Sequence, residues 1–186
     1  NGMEVFYVAE KSAPRAIRRL SAIKPDLVLY SAFSSSLPVF IEFDRIIKKS
    51  LAVRSVIGGP GPTYDWRALD ASTIDAVCAG EGEFALLEFI RSGFRPGKNV
   101  FLRGGNPDGF HPLVELDKLP FPDRDIVYRA DSLLGSMPSK QFLSGRGCPY
   151  QCTYCFNHKF NEMFRACGPV IRKKSVDYLL EEIRIV

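Results

Sequence analysis

The chain has 186 residues, 46% of them apolar and 25% charged, with a formal net charge of +4. That balance belongs to one ordinary folded domain, or to one domain and part of a second, and the basic residues are scattered rather than clustered among aromatics, which argues against a nucleic-acid partner. No apolar run approaches the ~18–20 residues that span a bilayer, and the first residues lack the basic, apolar, small-residue order of a signal peptide, so the expectation is a cytoplasmic protein without membrane attachment.

Residues 4–8 (EVFYV) form a short β-prone run. Ala13, Ile17, Leu20 and Ile23 then recur at helical spacing until Lys24-Pro25-Asp26 stops them. Leu27-Val28-Leu29-Tyr30 is continuous rather than alternating, which predicts a buried strand. Pro38 suits the first turn of a helix whose apolar stripe is Val39, Phe43, Ile46 and Ile47. Residues 53–57 predict a second buried strand, closed by Gly58-Gly59-Pro60-Gly61-Pro62. Residues 74–78 predict a third, and residues 83–92 a helix ended by Gly93. Strands alternating with helices at this spacing predict an α/β class, a Rossmann-like doubly wound parallel sheet with helices on both faces, over residues 1–93.

Residues 94–138 are dense in glycine and proline and read as an ordered connection between domains. Within it, residues 100–103 and 112–116 are expected to pair as a hairpin across 104–109, and Leu119-Pro120-Phe121-Pro122-Asp123 is stiff and extended. In the third region, 139–186, Gln141-Phe142-Leu143-Ser144 predicts a strand, a cysteine-bearing loop follows, and Ser175 is the expected N-cap of a last helix. That helix carries Val176, Leu179, Leu180 and Ile183 on one face. A single strand–loop–helix unit cannot bury such a face alone, so more of this domain is expected downstream.

The five cysteines are Cys78, Cys148, Cys152, Cys155 and Cys167. An odd number without a secretion signal argues against a disulfide framework. Cys78 lies in an apolar run and is expected to be a buried structural thiol, and Cys167 has no motif around it. The other three sit in Gly145-Arg146-Gly147-Cys148-Pro149-Tyr150-Gln151-Cys152-Thr153-Tyr154-Cys155. Thiolates spaced C-x-x-x-C-x-x-C can ligate three irons of a cubane cluster and leave the fourth iron open, and an open position is where chemistry happens. The competing reading is a structural zinc site in which His158 completes a Cys₃His set.

The cysteine loop, with an aromatic residue before its last cysteine and a strand before the loop, resembles the radical S-adenosylmethionine superfamily. The resemblance implies that Cys148, Cys152 and Cys155 hold a 4Fe-4S cluster, that S-adenosylmethionine chelates its open iron, and that Tyr154 packs near the adenine. It also implies an electron donor such as flavodoxin or ferredoxin and a small-molecule substrate. The stretches 24–33, 57–63, Ala79-Gly80-Glu81-Gly82-Glu83 and 119–125 resemble, in that order, the cobalamin-dependent branch of this superfamily. By that match the N-terminal domain binds cobalamin, with Ser31, Ser34, Ser35, Gly58 and Gly59 at the strand ends where the dimethylbenzimidazole tail would slide in. The histidine loop of such domains would precede residue 1, so the first strand is expected to lie outside this chain.

The expectation is therefore a radical enzyme of methyl-transfer or cyclisation type. Its 186-residue stretch holds a cobalamin-binding-like domain, a linker, and the first βα unit of a truncated barrel that is inactive by itself. The alternatives are a radical enzyme whose first domain is a scaffold without cobalamin, or a zinc-stabilised α/β binding module.

Overall fold

The computed structural model describes residues 2–10 and 12–186. A first body is built from α1 (Ala13–Ile23), β1 (Leu27–Ser31), α2 (Leu37–Ser50), β2 (Arg54–Gly58), α3 (Pro60–Tyr64), β3 (Ala76–Cys78), α4 (Ala85–Arg91) and β4 (Val100–Leu102). The chain then continues through α5 (Asp125–Ala130), α6 (Ser132–Ser136), β5 (Gly145–Arg146), α7 (Asn157–Phe164), β6 (Arg172–Lys173) and α8 (Val176–Arg184).

The four strands of the main sheet lie in the order β1-β2-β3-β4. The first three are parallel and β4 is antiparallel to β3. Side chains alternate between faces with the period of two that a strand dictates. Ile57, Val77 and Phe101 pack with Leu37, Phe40 and Leu69 on one side, while Val56, Ala76, Cys78 and Val100 pack with Ala85 and Phe89 of α4 on the other. Ile57 and Val77 are at most 1% exposed, and burying side chains of this size contributes about 1.5–3 kcal/mol each.

Helices cover both faces and the three strands within residues 1–93 are parallel, as expected, but β4, from the segment expected to be a linker, joins the sheet antiparallel and makes it mixed. The strand order rises without a reversal among the described strands, and the fourth strand runs the other way. The cause lies after α4, where Gly93, Phe94 and Asn99 take φ of 75°, 67° and 62°. These turns return the chain to the end of β3 before β4 begins, so that the Ala79 N–H donates to the Asn99 carbonyl at 2.8 Å. The buried Asn99 side chain locks the return, donating to Ala79 O at 2.7 Å and accepting from the His111 N–H at 2.7 Å.

Four local expectations are also corrected. Residues 4–8 form no strand; Val5, Phe6 and Tyr7 are 70%, 50% and 42% exposed and line a groove with Arg19, Asp123, Ile126 and Arg129. The hairpin is absent because β4 is taken by β3, and Leu113 instead donates its N–H to Cys167 O at 2.8 Å. Residues 141–144 form no strand; the ladder is only β5 with β6, antiparallel, followed by Lys174 N–H to Ser144 O at 2.9 Å. The stripe of α2 is rotated, since Val39 is 64% exposed while Leu37, Asp44 and Ile47 are buried.

β1, expected to be buried, lies at the edge of the sheet and is only half-buried, with Leu29 49% exposed; other elements stand as expected. Lys24 ends α1 in the left-handed conformation, with its N–H on Leu20 O. The Ser175 hydroxyl accepts from the Tyr178 N–H at 3.2 Å and caps α8. Val176, Leu180 and Ile183 of α8 remain exposed, whereas Glu182 is 1% exposed and pairs with Lys174 and with Arg124, the latter at 2.7 Å. Among the described residues no helix is long and apolar enough to cross a membrane.

Candidate cofactor site

Parallel strands aim their carboxyl ends at one edge of the sheet, where ligands of open α/β folds collect. Here β1, β2 and β3 deliver Ser31, Gly58 and Cys78 to that edge. The three loops that follow are zipped together. Ala32 donates its N–H to Gly58 O at 2.9 Å, and Gly61 donates to Ala32 O at 2.8 Å. Thr63 Oγ1 donates to Gly59 O at 2.8 Å and accepts from the Gly80 N–H at 2.9 Å.

Gly59 has a φ of 96°, and a Cβ there would lie 2.7 Å from Ala32 O. This glycine serves a strained turn and a close backbone approach. A planar group placed between the first two loops would have to displace those backbone hydrogen bonds. Gly58 is half-buried against the Cys78 carbonyl, whereas Ser31, Ser34 and Ser35 are exposed at the rim, beside Phe33 at 63%. Hydroxyls and one apolar ring along a rim fit a polar, nucleotide-like tail laid across the edge better than one driven between the loops.

The cysteine segment lies next to this edge. Cys148 and Cys155 are half-buried and Cys152 is exposed, all as free thiols. Their loop is tied by Asn161 Nδ2 donating to Cys148 O at 2.9 Å and by the Cys155 N–H on Cys152 O at 3.0 Å. Gly147, at φ 84°, brings the backbone so near the bend before β6 that a Cβ would lie 2.0 Å from Val170 O. That contact accounts for the glycine before Cys148.

The three thiols share one short loop, but among the described residues no three His, Cys, Asp or Glu side chains converge on a common point. Tyr154 is 91% exposed and His158 is exposed at the start of α7, so neither closes the site. As a donor set, three free soft thiols on a loop anchored at both ends fit a thiolate-ligated iron–sulfur cluster.

Three contacts join the cysteine segment to the sheet edge, and sequence patterns foretold none of them. Glu81, in the loop after β3, accepts from Arg146 Nη1 at 2.8 Å, from Arg172 Nη1 and Nη2 at 2.9 and 2.7 Å, and from the Val114 N–H at 3.1 Å. Burial acts to raise the Glu81 pKa, but the hydrogen bonds from Arg172, Arg146 and Val114 outweigh it and hold the carboxyl below its usual range. Phe164, at the end of α7, is wholly buried against Gly80, where a Cβ would lie 2.3 Å from its ring. Tyr64 packs on Phe156 with ring centroids 5.5 Å apart, and burial, then the Cys155 thiol, holds its phenol pKa above the ordinary value. The glutamates of Gly80-Glu81-Gly82-Glu83 and the arginine before Gly147 were visible as charges in glycine-rich loops. Their pairing across 65 and 63 residues left no trace in periodicity.

Cys78 is buried at the end of β3, and burial, then the Glu83 carboxylate, pushes its thiol up to about 11. It stays protonated and inert near neutral pH. Cys167 is half-buried and follows α7, its carbonyl taken by Leu113.

Residues 1–90 match the B12 binding domain family. The chain is 27% identical to an uncharacterized methyltransferase of Pyrococcus horikoshii, over 87% of this chain and 37% of that protein. It is 28% identical to a hopanoid C-3 methylase of Methylococcus capsulatus, over 90% and 34%. It is 26% identical to an anaerobic magnesium-protoporphyrin IX monomethyl ester cyclase of Rubrivivax gelatinosus, over 86% and 31%. The chain thus spans about a third of the length of these relatives. No solved structure matches it significantly. The similarity to the three relatives covers enough of the chain to take in both the sheet edge and the cysteine segment packed against it, whereas the B12 binding domain family is matched by residues 1–90 alone.

Proposed function

We propose that this chain is the cofactor-binding part of a cobalamin-dependent radical S-adenosylmethionine enzyme. The observation that carries the reading is a C-x-x-x-C-x-x-C loop of free thiols lodged against the carboxyl edge of a B12-type domain. Cys148, Cys152 and Cys155 would hold the 4Fe-4S cluster, with Tyr154 free to swing over an adenine. When bound, the cluster supplies the single electron that reductively cleaves S-adenosylmethionine, and cobalamin supplies cobalt-centred group transfer.

The chain's own residues do the holding and shielding. Thiols must shed their protons to bind iron, which the buried position of Cys78 opposes, whereas Cys148, Cys152 and Cys155 are half-buried or exposed on the loop. Phe156 and Tyr64 form an aromatic wall on the Cys155 side, limiting water where a cluster's potential is sensitive to it. Ser31, Ser34 and Ser35 offer hydroxyls to the cobalamin tail at the rim. The names of the relatives suggest methylation or ring closure of a small molecule, with reducing equivalents from a flavodoxin- or ferredoxin-type donor.

Metal analysis after anaerobic reconstitution tests the reading. It predicts about four irons and matching acid-labile sulfide per chain, together with saturable spectral shifts on titration with hydroxocobalamin. One zinc and no sulfide would support a structural metal module. Iron without any cobalamin response would leave the first domain as a scaffold.

A further inference from the structure

Two successive strand-end loops of the B12-type domain each touch one end of the cysteine segment. The loop after β3 contributes Glu81, whose side chain is 12% exposed and whose two oxygens are both engaged. Its partner Arg146 lies two residues before Cys148 and also pairs with Glu83. The loop after β2, through α3, contributes Tyr64, whose ring packs on Phe156, the residue after Cys155. The segment from Arg146 to Phe156 is therefore gripped at both ends by the same sheet edge, with the three ligand candidates between the grips.

The geometry points to Glu81 and Tyr64 as positioning residues that grip the two ends of the cysteine loop and hold its half-buried thiols against the carboxyl edge of the sheet. This rests on the reading of Cys148, Cys152 and Cys155 as cluster ligands. The electrostatics suit the role. Glu81 and Glu83 balance Arg146 and Arg172 in a partly buried group in which Arg172 Nη1 also donates to the Val114 carbonyl, and removing one carboxylate strands a guanidinium with no equal partner. The aromatic grip is made by the ring and not by the hydroxyl, so it needs only a ring at position 64.

A grip of this kind differs from general packing glue in what its loss disturbs. Glue, once removed, loosens the molecule as a whole; a grip, once removed, frees only the loop it holds. Alkylation of the reduced, metal-free chain by iodoacetamide, read peptide by peptide, separates the two, with buried Cys78 as the internal reference. Loss of a charge-assisted hydrogen-bond set is expected to raise the opening of the loop about tenfold. Glu81→Gln should therefore speed Cys148 most, and Tyr64→Leu should speed Cys155 most, each by about tenfold, while Cys78 stays slow. Tyr64→Phe should keep the wild-type rates, because the ring does the gripping. Unchanged rates at Cys148 and Cys155 in both disruptive variants would overturn the proposal. So would Cys78 accelerating in step with them, which marks general loosening. The readout needs no iron, so a chain that proves to bind zinc would defeat the cluster reading while leaving the grip to stand or fall by itself.

Discussion

Glu81 and Arg172 form a two-pronged ion pair, with Nη1 2.9 Å from Oε2 and Nη2 2.7 Å from Oε1, across 91 residues of sequence. The pair fastens the loop after β3 to β6, and through Arg146 on the neighbouring strand it reaches the start of the cysteine loop. Bidentate geometry of this kind is the strong form of a charge-assisted contact. It holds the carboxyl edge of the sheet and the cysteine loop side by side.

The pair sets an acid limit. The Glu81 carboxyl is held below 4.5 in the folded chain despite its burial. The unfolded chain therefore takes up the proton first as pH falls. The stability this group contributes is complete above about pH 4.5 and is lost as pH drops through the lower folded value. Glu81→Gln should lower the melting temperature at pH 7 and flatten its decline below pH 4.5, leaving a smaller slope from the other lowered carboxyls, Glu42, Glu162 and Glu182, the last lowered once Lys174 and Arg124 outweigh its burial. Parallel melting curves for wild type and variant across that range would contradict the assignment.

Gly80 is the socket for Phe164. Its φ is 78° and a Cβ built there would lie 2.3 Å from the ring, so there is no room for a methyl group. Gly80→Ala should cost about 2–3 kcal/mol, mostly through displacement of α7. Phe164→Leu in the same chain should recover part of that loss, so a double-mutant cycle by chemical denaturation should show strong coupling. Strict additivity would mean that the two residues do not meet.

Asp44 is wholly buried on α2, accepting from the Tyr30 hydroxyl at 3.2 Å and from Thr73 Oγ1 at 2.5 Å, with Lys48 Nζ 3.6 Å away. Burial, and then this carboxylate, raises the Tyr30 pKa well above its ordinary value. Asp44→Ala removes the shared acceptor and should cost about 2–3 kcal/mol, a fall in melting temperature of about 5–10 °C for a chain of this size. A change under one degree would show that the network contributes nothing net.

Much of the first body was legible in the sequence, because its signals are local. Continuous apolar runs marked β1, β2 and β3, and Lys24, Pro38, Gly93 and Ser175 marked helix boundaries through backbone preferences that need no tertiary partner. What the sequence hid depends on distant atoms. The direction of β4 follows from the buried Asn99 bridging Ala79 and His111. The rotation of α2 follows from Asp44, a polar residue that periodicity assigns to solvent and that Tyr30 and Thr73 draw inward. The cysteine loop was plain from its spacing, whereas its seat on the sheet edge depends on Glu81, Tyr64 and Phe164, each useful only through a partner far along the chain.

The proposed function requires Cys148, Cys152 and Cys155, and no other thiols, to carry an iron–sulfur cluster beside the carboxyl edge of the sheet. Its most direct test is the iron and sulfide content, with the low-temperature EPR of the reduced state, of five anaerobically reconstituted variants in which each cysteine in turn becomes alanine. Cys148→Ala, Cys152→Ala and Cys155→Ala should each lose the cluster, while Cys78→Ala and Cys167→Ala should keep wild-type iron and an unchanged signal. Loss of the cluster in Cys167→Ala as complete as in Cys152→Ala would contradict the account, because a fourth thiolate would then close the iron position that the proposed chemistry requires to be open.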